Sequence, residues 1–401
     1  MQNSLELMKA LSITSPSKII MLVIDGLGGL PNASGKTELE TAFTPNMNRL
    51  SETGNCGLVQ TVAPGITPGS APGHLGLFGY NPLTYTIGRG VLEALGMDFD
   101  LQPGDVAARG NFCTLDANGL ICDRRAGRIS SEKSSKLCQL LDNMEIDGVQ
   151  VIVRTVKDHR LAVIFRGTDL SENISDADPQ QTNVPLKEVI ALTTSAERTA
   201  RVVNLFLAEA QRRLAPHHPA NMVLLRGFSS LPNFPVFSEI YKLRSAAIAS
   251  YPMYRGLAKV VGMDILKTGL TLADELTTLE QNYAGYDFFF LHVKGADAAG
   301  EDGDFARKVA VIEEVDYHLP RLMELKPDVL LITGDHSTPA SLSGHSWHPV
   351  PCILSAPNCR PDNIRKFSEA SCRNGGLGHI NATSLMWLAM AHGLKLTKFG
   401  A

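Results

Sequence analysis

The 401-residue sequence has no apolar stretch long enough for a membrane span; its prominent early run, Ile19 to Ile24, is six residues. Residues Met1 to Ser12 carry neither a basic segment nor an apolar core, so no secretory signal is read there. The seven cysteines (56, 113, 122, 138, 352, 359, 372) are scattered, odd in number and free of CxxC spacing, which argues against a disulfide framework and a thiolate zinc site. Cys56, Cys113 and Cys138 read as packing residues. Aromatic residues make up only 6%, and a net charge of −4 is spread without long runs of one sign. A nucleic-acid footprint and a membrane partner are therefore not expected. A cytoplasmic protein is expected, with a homo-oligomer left open.

The chain does have length and apolar residues, 44% of the total, enough for a large core without staples. At about 150 residues per domain the prior is two or three folding units. Ile19–Ile24 is wholly apolar and ends in Asp25-Gly26, the pattern of a parallel strand buried on both faces. Two segments repeat the design: Tyr286–Lys294 runs into Gly295-Ala-Asp297, and Val329–Thr333 runs into Gly334-Asp335-His336. Open α/β sheets place ligands at such carboxyl ends. Helices are expected over Pro45–Ser51, from Phe305 with Asp304 as N-cap and Pro320 shortening or kinking it, and over Ala382–His392. A further strand is expected at Cys352–Ser355.

The middle has another texture. Ser131–Asn143 and Ser195–Leu214 read as helices, Val149–Thr155 and Leu161–Phe165 as a hairpin, and Met222–Leu225 as a strand. The fold class expected is α/β: a mostly parallel central sheet flanked by helices, with an inserted smaller α+β domain. Residues 1–115 and 219–401 would form the discontinuous main domain and 116–218 the insert.

Asp25, Asp297, Glu301, Asp335, His336 and His345 fall at strand ends or in the loops that follow. Mixed carboxylate and imidazole groups suit Mn²⁺, Mg²⁺ or Zn²⁺, and six suffice for two ions; solvated loop carboxylates would look the same singly. His348 competes with His345. Ser70 lies in Thr67-Pro-Gly-Ser-Ala-Pro-Gly-His74, a turn able to present a hydroxyl that a cation would activate, although an ordinary turn serine has the same local pattern. His74 reads as an acid or base, or as a turn cap, and His292 as a satisfied core group. Asp123-Arg-Arg-Ala-Gly-Arg128, with Arg160, Arg166 and Arg226 further on, suits a small phosphorylated acid, and a solvated surface run equally well.

These residues are ordered as in a known family. Val23-Ile-Asp25-Gly-Leu-Gly28 with Thr44-Pro-Asn46 resembles the opening of the alkaline phosphatase superfamily. More narrowly, the chain resembles the archaeal-type 2,3-bisphosphoglycerate-independent phosphoglycerate mutases through Gly88-Arg-Gly90, Glu93-Ala-Leu-Gly96, Gly104-Asp-Val-Ala107, Asp123 to Arg128, Ile174 to Pro179, His292 to Asp297, Gly334 to Pro339 and Gly375 to Gly378. The resemblance implies interconversion of 3-phosphoglycerate and 2-phosphoglycerate through a phosphoserine at Ser70, without 2,3-bisphosphoglycerate. It implies two divalent cations, one held by Asp25, Ser70, Asp335 and His336, the other by Asp297 and His345. Mn²⁺ or Mg²⁺ is expected ahead of Zn²⁺ or Co²⁺. It also implies that the insert closes over the substrate and grips it with arginines; Arg124, Arg125, Arg128, Arg160 and Arg226 are the candidates.

The chain departs from the family pattern at three places. Glu301 replaces the usual histidine, which keeps a ligand and hardens the site toward Mn²⁺ or Mg²⁺; Arg255, a catalytic candidate, stands where relatives often have lysine; and Ala71 replaces an acidic residue. A metal-dependent phosphotransferase or phosphatase on another small phosphorylated metabolite is the alternative. A non-enzymatic paralogue fits less well, since Ser70 and the metal-type residues occur together.

Overall fold

The computed structural model describes residues 4–400. They form two compact units, one from the segment up to Thr86 together with Phe234 onward, the other from Ile87 to Asn233. No helix among the described residues is long and apolar enough to cross a membrane.

The first unit is built on an eight-stranded sheet in the order Asp264–Ile265, Ser245–Ala249, Phe288–Val293, Ile19–Ile24, Val329–Thr333, Val350–Ser355, Asn55–Gln60, Gly378–Asn381. Pairing is parallel except at Val350–Ser355, which is antiparallel to both neighbours. All six residues of Ile19–Ile24 are buried, as its apolar, branched side chains require of a strand covered on both faces. Its register pairs Ile24 with Val293 on one side and Val23 with Thr333 on the other. Three chains thus leave the sheet at one edge, and Asp25, Lys294 and Gly334-Asp335 emerge side by side.

The helix Phe305–Glu324 packs against this sheet through Ile312, Val315, Leu319 and Leu322. Asp304 caps it, accepting from the Arg307 N–H at 3.0 Å. The helix continues through Pro320 to Glu324, so the proline does not shorten it as one of the two expected effects would have. Its missing N–H would have bonded the Asp316 carbonyl, and the Asn46 side chain donates to that carbonyl instead at 3.0 Å. The Asp316 carboxylate in turn accepts from the Asn46 and Met47 N–H groups at 3.1 and 2.7 Å, capping the helix Pro45–Thr53.

The second unit carries an antiparallel sheet in the order Ile121–Asp123, Val106–Leu115, Arg160–Arg166, Val149–Lys157, Met144–Ile146, with Met222–Ser230 also paired to Val106–Leu115. Helices Ser131–Leu141 and Glu197–Leu214 bury Leu137, Leu141, Phe206 and Leu207 in a common core with Phe112, Val163 and Phe165. The expected insert at 116–218 is too narrow. Val106–Leu115 lies between Arg160–Arg166 and Met222–Ser230 in one sheet, and the helix Arg89–Leu95 is tied to it where the Val91 N–H donates to Ser229 Oγ at 3.0 Å. The ladder and its helix belong with the second unit, which moves both boundaries outward.

Candidate active site

In the first unit, Asp25, Asp335 and His336 are fully buried at the carboxyl edge of the sheet. Gly26 turns the chain immediately after Asp25 with φ +66°, a conformation that costs a side-chain-bearing residue, and its N–H donates to Asp335 Oδ1 at 3.2 Å. His336 Nε2 lies 3.3 Å from Asp25 Oδ1, 3.1 Å from Asp335 Oδ2 and 3.3 Å from Ser70 Oγ. Ser70 opens the helix Ser70–Leu77 after Gly69, so the Gly/Pro-rich turn does present the hydroxyl. Four of the expected residues converge here.

Asp297 comes from the helix Gly295–Glu301, which follows the strand end at Val293. His345 Nε2 is 3.4 Å from Asp297 Oδ1, and its Nδ1 bonds the Pro68 carbonyl at 2.8 Å. The His336 and His345 rings stack at 3.7 Å between centroids. Glu301, one helical turn beyond Asp297 and half-exposed, has Oε1 3.8 Å from His345 Nε2. The ligand-spaced group here is Asp297, His336 and His345, with Glu301 beside it. His348 instead bonds Ser346 Oγ at 3.1 Å and stacks on Trp347.

The donors fit divalent cations. In each of two groups, Asp25–Asp335–His336 and Asp297–His336–His345, the ligand atoms lie within 4.8 Å of one another. Asp25 Oδ1 and Asp335 Oδ2 are buried with no hydrogen-bond donor. Buried carboxylate oxygens left this way are costly unless a cation meets them, and oxygen with imidazole nitrogen is the set such ions take.

Charge is managed by residues that the sequence reading passed over. Lys294 Nζ pairs with Asp297 and stands 3.2 Å from Asp25 Oδ2. Burial opposes its charge, but the two carboxylates hold the ammonium above its ordinary range. Asp297 also resists burial: contacts with His345, Lys294 and His336 hold it well below the usual carboxylate range. His345 is pushed up to about 9, burial being outweighed by Asp297 and the Pro68 carbonyl. Tyr254 donates its hydroxyl to Asp25 Oδ2. Lys294 follows a buried strand end just as Asp25 does, so its position was the available signal; a search restricted to metal ligands omits a lysine.

His74 is neither exposed nor a simple turn cap. It is buried, bonds the Ser70 carbonyl at 2.8 Å and faces Asp335 Oδ2 at 3.2 Å. Burial disfavours its charged form, and the Asp335 carboxylate more than offsets that. The expectation of a satisfied core His292 is corrected: both ring nitrogens lack hydrogen-bond partners, Nε2 lies 3.3 Å from Asp25 Oδ2, and the ring stacks on Tyr254. Arg255, on the helix Pro252–Val260, donates to the Ala249 and Ser250 carbonyls at 3.3 and 2.7 Å.

The second unit gathers the other expected group. A cavity of about 430 Å³ is lined by Arg109, Asn111, Arg124, Arg125, Arg128, Lys157, Asp158, His159, Arg160 and Arg226. All five expected arginines are there, and cross-strand pairing of Arg109 with Arg226 adds Arg109. Arg166 is not: it pairs with Asp105 at 2.6 Å. Asp178, almost fully buried, orients Arg124 through contacts of 2.6 and 3.3 Å and stands 3.9 Å from Arg226 Nε. A concave, strongly cationic surface of this kind binds small anions with several charges.

A mostly parallel α/β sheet carrying a serine and two divalent-cation donor groups at its carboxyl edge defines an enzyme of the phosphoryl-transfer class. A family model described as 2,3-bisphosphoglycerate-independent phosphoglycerate mutase matches residues 51–221. A probable enzyme of that name from Thermus thermophilus is 50% identical over 401 residues, covering 98% of each chain. Another from Deinococcus radiodurans is 49% identical over 410 residues, covering both chains fully. The chain belongs to the 2,3-bisphosphoglycerate-independent phosphoglycerate mutase family, whose members are isomerases. Among solved structures, a protein from Pyrococcus horikoshii is 28% identical with a TM-score of 0.80, over 97% of this chain and 100% of that one. The cofactor-independent phosphoglycerate mutase of Thermoplasma acidophilum is 29% identical with a TM-score of 0.76, over 94% and 100%.

Proposed function

We propose that this chain interconverts 3-phosphoglycerate and 2-phosphoglycerate, with Ser70 Oγ carrying the phosphoryl group between them. The observation that carries the reading is Ser70 Oγ within 3.3 Å of His336 Nε2, beside buried carboxylate oxygens that lack donors, in a chain of this family. Asp25, Asp335 and His336 with Ser70 would hold one cation, and Asp297, Glu301 and His345 the other, Mn²⁺ or Mg²⁺ suiting the carboxylate-rich set. When bound, such ions favour the deprotonated hydroxyl and oppose charge on phosphoryl oxygens.

Ser70 Oγ attacks phosphorus; the bond to the C3 oxygen of 3-phosphoglycerate breaks, and the serine proton passes to that oxygen. The glycerate turns, its C2 oxygen attacks the phosphoserine, and its proton returns to Oγ. Lys294 and Arg255 supply positive charge near the sheet edge. Arg124, Arg125, Arg128, Arg160 and Arg226 take the carboxylate and phosphate oxygens in paired hydrogen bonds. Such a substrate places the enzyme in cytoplasmic glycolysis and gluconeogenesis.

The test is incubation with 3-phosphoglycerate and Mn²⁺, with 2-phosphoglycerate followed through coupled enolase. Formation of 2-phosphoglycerate is expected. Free phosphate without it would make the chain a phosphatase.

A further inference from the structure

The cationic cavity of the second unit has an acceptor that its cations do not explain. Guanidinium and ammonium groups only donate hydrogen bonds. They match phosphate and carboxylate, which accept, but not a hydroxyl, whose proton needs an acceptor. Asn111 lines this cavity, and its Oδ1 is buried with no hydrogen-bond partner. It lies on the same strand as Arg109 and opposite Arg160 in the sheet register, so its backbone is fixed between two cationic positions. The adjacent Phe112 N–H donates to the His159 carbonyl at 2.8 Å, which locks the strand pair at this point. A buried acceptor left unpaired is costly until something donates to it.

We propose that Asn111 is a specificity-determining residue: its Oδ1 accepts the proton of the substrate's free hydroxyl, distinguishing phosphorylated hydroxy acids from phosphorylated acids without a second hydroxyl. The inference rests on the phosphoglycerate reading above. A site that pairs with a substrate hydroxyl rejects the analogue lacking it, because its own buried group is then left unpaired. Asp158 and His159 also line the cavity. The ring of His159 is kept below its ordinary pKa by burial and by Arg160 and Arg125, so it adds no further charge.

The test is calorimetric titration of the full chain carrying Ser70→Ala, which cannot turn over, with 3-phosphoglycerate and with the phosphate ester of 3-hydroxypropanoate. The second ligand keeps the carboxylate and phosphate and lacks the hydroxyl. The hydroxylated ligand should bind about 10- to 100-fold more tightly. Adding Asn111→Leu should bring the ratio close to one by weakening 3-phosphoglycerate alone, whereas Asn111→Asp, which keeps an acceptor, should preserve it. Equal weakening of both ligands by the leucine variant, or no weakening, overturns the role of Asn111 while leaving the phosphoglycerate reading intact. Failure of the Ser70→Ala chain to bind either ligand overturns both.

Discussion

Thr338 Oγ1 stands 2.7 Å from Asp297 Oδ1 and donates its single proton to that carboxylate. The same oxygen lies 2.9 Å from His336 Nδ1, so it accepts there, and the imidazole proton belongs on Nδ1. The lone pair of His336 is therefore on Nε2, the nitrogen facing Ser70, Asp25 and Asp335. One hydroxyl fixes a tautomer and steadies a second ligand. Thr338→Val keeps the shape and removes the relay. Its Mn²⁺ affinity should fall about 10- to 100-fold by calorimetry, with Thr338→Ser close to wild type. Unchanged affinity in the valine variant would show that the tautomer is set elsewhere.

Ser70→Ala should abolish both turnover and phosphoenzyme, while leaving the fold unchanged by circular dichroism. The hydroxyl sits at the first position of its helix, where it meets His336 and Tyr254, and neither contact holds the helix itself together. Phosphorylated protein recovered from this variant would move the nucleophile to another residue.

Glu301 follows Asp297 by one helical turn, so both carboxylates point to the same side, and Glu301 Oε1 reaches to 3.8 Å from His345 Nε2. A carboxylate here adds negative charge and a hard oxygen, favouring Mn²⁺ or Mg²⁺; an imidazole would favour Zn²⁺. Metal-stripped enzyme should recover activity with Mn²⁺ more fully than with Zn²⁺, and Glu301→His should shift that preference toward Zn²⁺. Equal responses to the two ions in the unmodified chain would contradict this.

The strands were legible where both faces are buried. Ile19–Ile24 is wholly apolar, Phe288–Val293 and Val329–Thr333 are apolar but for His292 and Thr333, and the groups that follow them reach one edge by register alone. Ser245–Ala249, equally buried, was not legible, because serine and alanine lack the branched side chains that mark a strand. Val106–Leu115 was placed with the wrong unit: its own residues do not say that it pairs with strands around 160 and 225. In the site, ligand types at strand ends were visible, but Tyr254 and Thr338 meet Asp25 and Asp297 only through the fold. That His345 lies beside Asp297 while His348 turns to Ser346 likewise depends on the direction of a loop.

Lys308 is fully buried behind the site, donating to the Gly28 and Thr338 carbonyls at 2.9 and 2.8 Å, with Glu38 Oε1 at 3.9 Å. It joins the loop after Asp25 to the segment that carries His336. Lys308→Met fills the same volume but leaves two carbonyls without that donor and a buried carboxylate without its counter-charge. Stability should fall by about 2–4 kcal/mol, read as a lower urea midpoint, and Mn²⁺ affinity should weaken with it. A methionine variant as stable as the parent would mean that the ammonium is dispensable.

Glu275 gives a pH dependence of unusual sign. It is buried in the helix Leu272–Asn282, where Oε1 accepts the Ser250 N–H at 2.8 Å, and burial pushes its carboxyl up to about 7. In the unfolded chain a glutamate titrates near about 4.3. Between those values the folded chain holds the proton and the unfolded chain does not. The contribution of Glu275 is therefore fully present below the unfolded value and is lost as pH rises through about 7. Glutamine keeps the acceptor for Ser250 and cannot ionise. Glu275→Gln should be more stable than the parent at pH 8, by at most about 4 kcal/mol, and nearly equal to it at pH 4, as urea unfolding at the two pH values would show. A difference of the same size at both would mean that the carboxyl does not change its ionisation in the folded chain across this range.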